Sequence, residues 1–144
     1  MSDLRLSAED GTDLDVISAC LQDAVTQVRD LAFLPHARRF AMVVNRFRWE
    51  GEGKSAAHER TRAGLHFENV LAARVRGIAQ DRPDGVINLL SIRFDEFDAP
   101  SGIVTLTFSG GGEIRLEVEA LEASLSDLGL VWDTPNLPQH DLDK

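Results

Sequence analysis

Between Ile103 and Gly129 the sequence permits little besides a hairpin and what packs after it. Val104, Leu106 and Phe108 alternate with Thr105 and Thr107, then Ser109-Gly110-Gly111-Gly112 follows. Ile114, Leu116 and Val118 next alternate with Glu113, Arg115, Glu117 and Glu119. A period of two on both sides of a glycine run predicts strand, tight turn, strand. The apolar spacing then widens to Leu121, Leu125 and Leu128 and stops at Gly129, which predicts a C-terminal capping helix closed by a glycine. The outward positions are threonines and glutamates at ordinary strand spacing, so this stretch sets architecture and carries no chemistry.

The remainder reads as strands around one N-terminal helix. Leu4-Arg5-Leu6 has room for a short edge strand. Ser7-Ala8-Glu9-Asp10 and Thr12-Asp13-Leu14-Asp15 each place an acid three residues after a hydroxyl, as a capping box does. Leu14, Ile17, Leu21 and Ala24 share a helical face, which predicts a helix from about Asp13 to Gln22. Val25 to Leu34 predicts a strand with a bulge, because Val28 is out of step with Leu31 and Phe33. In a second strand, Phe40 to Trp49, Phe40, Met42 and Val44 face one way and Ala41, Val43, Phe47 and Trp49 the other. That pattern suits a central strand covered on both sides. Its far end carries Arg46 and Arg48 on one face and Asn45 on the other.

Glu50 to Arg62 has two glycines and no large apolar residue, which predicts a long, mobile or functional loop. Leu65 to Val75 predicts a strand interrupted at Glu68-Asn69. After the turn signal Asp81-Arg82-Pro83-Asp84-Gly85, Val86 to Phe94 predicts another. The sum is one α+β domain over residues 1–132: an N-terminal helix, six to seven mostly antiparallel strands in a roll or partly open barrel, and the capping helix. Residues 133–144 read as a flexible tail.

Charge is distributed unevenly. The net charge is −9, yet residues 29–76 carry ten Lys/Arg against five acids, between acidic segments on both sides. Either acidic neighbours neutralise this middle third across a sheet, the reading we favour, or it forms a patch for an anionic partner. The patch candidates are Arg46, Arg48, Lys54, Arg60, Arg62, Arg74 and Arg76, with His58 and His66 at the end of the loop. If the second strand neighbours the Leu65–Val75 segment, Arg46, Arg48, Arg74 and Arg76 converge beneath that loop. Glu113, Glu117 and Glu119 are the nearest supply of acids. Nucleic acid is a poor partner for so acidic a chain, and Phe47 and Trp49 read as core.

Other motifs carry less. Gly53-Lys54-Ser55 lacks the earlier glycine of a phosphate loop, since Arg48 stands there, and no helix follows. The histidines have no ligand spacing, and with Glu59 or Glu68 as the nearest third ligands no metal is expected. No cofactor or catalytic set is expected either. Cys20 reads as a small core residue, and one cysteine agrees with a reducing compartment. No stretch approaches a membrane span, and Met1-Ser2-Asp3-Leu4-Arg5 lacks the features of a signal peptide, so the cytoplasm is expected.

Asn45-Arg46-Phe47-Arg48-Trp49-Glu50, Gly64-Leu65-His66-Phe67-Glu68-Asn69-Val70-Leu71 and the run from Asn88 through Gly129 resemble an alphaproteobacterial family known as domain of unknown function 2948. The likeness covers roughly residues 4 to 132. It implies a bacterial, cytosolic protein and transfers no catalytic residue. The strand order is also loosely similar to pleckstrin-homology-like rolls, which a C-terminal helix closes, although this chain adds a helix at the front. The leading functional reading is a non-catalytic binding module. A small anion-ligand binder or enzyme, with Arg46, Arg48, His58, His66 and Arg74 lining a site under the 50–62 loop, is the second. A structural homodimer, joined by a strand edge or the Trp132 segment, is the third.

Overall fold

The computed structural model of the chain describes residues 4–47 and 59–133, with the backbone alone for 59 and 129–133. Among these residues, one helix, α1 (Gly11–Cys20), follows β1 (Arg5–Ala8). Then come β2 (Ala24–Gln27), β3 (Leu31–Leu34), β4 (Arg39–Phe47), β5 (Glu59–Phe67), β6 (Val70–Arg76), β7 (Val86–Glu96), β8 (Gly102–Phe108), β9 (Glu113–Val118) and β10 (Ala123–Asp133). The strands form one open sheet, ordered β1-β10-β5-β4-β2-β7-β8-β9-β6, with β3 also on β4. All its pairings are antiparallel.

Alternation puts every second side chain of the central strands inward. Phe40, Met42 and Val44 of β4, with Leu65 and Phe67 of β5, join Val104, Leu106 and Phe108 of β8 in one buried cluster. Each fully buried side chain of this size contributes on the order of 1.5–3 kcal/mol. The two arms of the sheet meet at β2, where Val25 pairs with Asn45 of β4 and Asn88 of β7. There the buried Thr26 Oγ1 donates to the Val43 carbonyl at 2.7 Å. Helix α1 is capped by Asp10, whose side chain accepts from the Asp13 N–H at 2.8 Å. It buries Leu14 and Ile17 and packs on β1 and β7, bridging the arms. None of the described helices is long and apolar enough to cross a membrane.

The β8–β9 hairpin forms as expected, with Gly110 and Gly111 at φ of 77° and 88°, a backbone region glycine enters without Cβ strain. Three expectations need correction. The expected C-terminal capping helix is strand β10, so the closing helix of a pleckstrin-homology-like roll has no counterpart among the described residues. Leu121 and Leu125 are four apart, a separation that both periods allow. Ala123 between them is also buried while Leu128 is 53% exposed, so the inward period is two.

Ten strands, rather than six or seven, arise because expected single strands change neighbours midway. Val25–Leu34 breaks at a 3-10 turn, Val28–Asp30, where Val28 and Arg29 donate their N–H groups to the Gly85 and Pro83 carbonyls. The chain thereby passes from β7 to β4. Leu65–Val75 is divided by a tight turn at Asn69, whose φ is 59°, so that β5 pairs with β4 and β10 while β6 pairs with β9. Finally, the expected Glu50–Arg62 loop ends sooner, because Arg60 and Arg62 belong to β5. Their inward neighbours Thr61 and Ala63 are buried but small, and leave no large-apolar signal. The rest of that loop lies outside the described residues, as does the expected 133–144 tail except for Asp133, which ends β10 opposite Glu59.

Candidate functional site

Strand alternation decides where each basic residue goes. Arg46 continues the inward face of Phe40, Met42 and Val44, and its side chain is 0% exposed. Its Nε and Nη2 donate to the two carboxylate oxygens of Asp127 on β10, each at 2.9 Å, and Nη1 donates to the Phe47 carbonyl. Asp127 also accepts from the Leu4 N–H at 3.0 Å. This ion pair clamps β4, β10 and the chain entering β1.

Arg60, Arg62 and His66 lie on the opposite, outer face of β5. Register sets Arg60 beside Phe47, Arg62 beside Asn45 and His66 beside Ala41 of β4. The Arg60 guanidinium stacks 4.3 Å from the centre of the Phe47 ring, a cation–π contact. Partial burial lowers the pKa of Arg60 from its usual value. Its Nε is shielded from solvent and meets no acceptor, and the neighbouring Asn45 Oδ1 is shielded and meets no donor. They are the only such side-chain atoms among the described residues. His66 is engaged: Nδ1 lies 2.7 Å from Glu68 Oε2, which also accepts from Arg39 Nε at 2.8 Å.

Arg74 and Arg76 lie elsewhere, on β6 at the far end of the sheet, so the expected convergence with Arg46 does not form. Arg76 pairs with Glu113 at 3.3 Å, and Arg115 shares that carboxylate at 2.8 Å. Arg38 pairs with Glu119 at 3.0 Å. Glu113 and Glu119 thus neutralise part of the basic segment, while Arg74 stands opposite Arg115 without an acid of its own among the described residues. Arg48, Lys54 and His58 lie outside the described residues. Within the described residues no three His, Cys, Asp or Glu side chains are placed to hold a metal.

Glu113 gives this charge pairing a pH signature. Burial works to raise its pKa, but hydrogen bonds and charge from Arg76 and Arg115 outweigh it and hold the carboxyl below its ordinary 4.5. A folded-state pKa below the unfolded one stabilises above about 4.5, and that contribution fades as pH falls through the lower folded value. Thermal melts across this acid range are therefore expected to show a smaller acid-induced loss in Glu113→Gln than in the wild-type protein. Equal losses would mean that the pairs do not hold in solution.

The residues missed in the sequence are Asn45, Phe47 and Asp127. Phe47 belongs to the outer face rather than the core, and only the β4–β5 register reveals that it carries Arg60. On the outer face, two arginines without acids among the described residues, one of them with an unmet Nε–H donor, form a surface suited to a carboxylate or phosphate group. Comparison with curated proteins finds no match. The sequence model described as "Protein of unknown function (DUF2948)" matches residues 4–140, and the chain belongs to that family.

Proposed function

We propose that the protein is a non-catalytic binding module of the cytoplasm, one domain over residues 1–132. Its outer β4–β5 face takes an anionic group from a partner protein or a small ligand. The observation that carries this reading is the unmet Nε–H donor of Arg60, with Arg60 and Arg62 both lacking acidic partners among the described residues. Arg38, Arg39, Arg46 and Arg76 each have an acid. A shielded polar atom without a partner costs about 1–3 kcal/mol, which a ligand that supplies the partner recovers. Binding rather than catalysis is supported by the strands themselves. β4 and β5 pair with each other from Phe40↔Phe67 to Phe47↔Arg60, which commits backbone groups of this face to the sheet rather than to an oxyanion.

The test is an NMR titration of ¹⁵N-labelled protein with inorganic phosphate and with a short glutamate-rich peptide. The Arg60 Nε–H signal is expected to shift first and saturably. Arg60→Gln with Arg62→Gln is expected to lose the response while keeping the native amide spectrum. An equal drift of all arginine signals, or a full response in the double variant, would sink the reading.

A further inference from the structure

β3 and β6 each leave one edge without a partner among the described residues, and these two edges border one groove. β3 pairs only with β4, and β6 pairs only with β9, among the described residues. They meet at one end, where the Val70 N–H donates to the Arg38 carbonyl at 2.9 Å. Beyond that bond lies a cavity of about 260 Å³, with Leu31 and Phe33 of β3 on one wall and Ala73 and Val75 of β6 on the other. Phe40 and Ile114 also line it. Arg29 is the single charged side chain of the lining, and it has no acidic partner among the described residues.

We infer that this groove binds an extended segment of a partner protein by strand addition, the segment being apolar with an acidic residue that meets Arg29. Unpaired edges are templates for a further strand, whose backbone supplies affinity while the groove selects its side chains. A cavity of about 260 Å³ has room for a few side chains of a chain segment. Charge names the occupant. The lining has a cation and no acid. Arg74 and Arg76 of β6 alternate with Ala73 and Val75 and so lie on the other face of the strand, Arg76 against Glu113. A second copy docking β6 against β6 would set these arginines against their own counterparts, and like charges across a strand pair destabilise. An acidic strand has no such penalty.

The probe is a fluorescein-labelled hexapeptide of alternating valine and threonine with one terminal aspartate, followed by fluorescence anisotropy. Saturable binding is expected. A lysine in place of the aspartate, or N-methylation of alternate amides, is expected to weaken binding by roughly tenfold or more. Arg29→Glu is expected to reverse the preference between the aspartate and lysine peptides. Ala32→Lys, at an exposed position on the β3 rim, is expected to abolish binding while the melting temperature stays put. Failure of the aspartate peptide to saturate at millimolar concentration, or indifference to N-methylation, overturns the proposal. A dimer in sedimentation that Ala32→Lys dissolves would also overturn it, by naming a second copy as the occupant.

Discussion

Replacing Asp127 with alanine is expected to cost about 3–5 kcal/mol of folding stability, and to lower the melting temperature by on the order of 10 °C. The Arg46 side chain is 0% exposed and that of Asp127 is 6% exposed, so truncating the acid strands a buried guanidinium. Arg46→Met is expected to be milder, because methionine fills the same space without a charge, although it leaves the carboxylate short of two donors. In the double variant Arg46→Met/Asp127→Leu, much of the Asp127→Ala loss is expected to be recovered, since well-packed apolar residues often replace a buried ion pair at little cost. Urea unfolding of Arg46→Met, Asp127→Leu and their double variant closes a double-mutant cycle. Additive costs, each below about 1 kcal/mol, would show that the pair is not coupled.

The same pair matters to the proposed face. Asp127 is the last residue of β10 in register before the shift that separates it from Val131. β5 runs between β4 and β10, and Arg46 reaches past it to Asp127 on the inner side. Arg60 and Arg62 are displayed outward from the strand that this clamp spans. Loss of the clamp is therefore expected to blunt phosphate-induced shifts at Arg60 even at temperatures where the fold survives.

The local parts of this structure were legible because their signals are local. Val104 to Val118 declared its turn by glycine and its strands by period two. Leu14 and Ile17 placed the helix within two residues of its observed start. Arg46 shows the limit. Its position in step with Phe40, Met42 and Val44 was readable, and an arginine on a core face demands a buried partner. That partner is 81 residues away on a strand mistaken for a helix. Arg60 and Arg62 fail for a related reason. Their role depends on facing Phe47 and Asn45, and strand register between distant segments is set by the whole sheet rather than by either segment. Segregation of charge along the chain likewise persists only in part, since Glu113 and Glu119 reach the basic segment on the surface and Asp127 reaches Arg46 inside.

Leu125 and Leu128 separate strand from helix by experiment. In a helix, Leu121, Leu125 and Leu128 would share one buried face, and shortening either of the last two would cost about the same. In β10, Leu125 is 0% exposed and packs in the central cluster, whereas Leu128 is 53% exposed. Leu125→Ala is accordingly expected to lose about 2–5 kcal/mol, from the lost burial and the cavity left behind. Leu128→Ala is expected to stay within about 0.5 kcal/mol of the parent. Chemical denaturation of both variants reads the difference directly, and equal losses would contradict the strand. Ala123 supplies a control that adds volume instead of removing it. It is buried and lies opposite Phe67 of β5 and Ala8 of β1, so Ala123→Leu is expected to overpack the core and destabilise by about 1–3 kcal/mol. On a helix carrying Leu121, Leu125 and Leu128, residue 123 would point away from that face, and the added methylenes would meet only solvent.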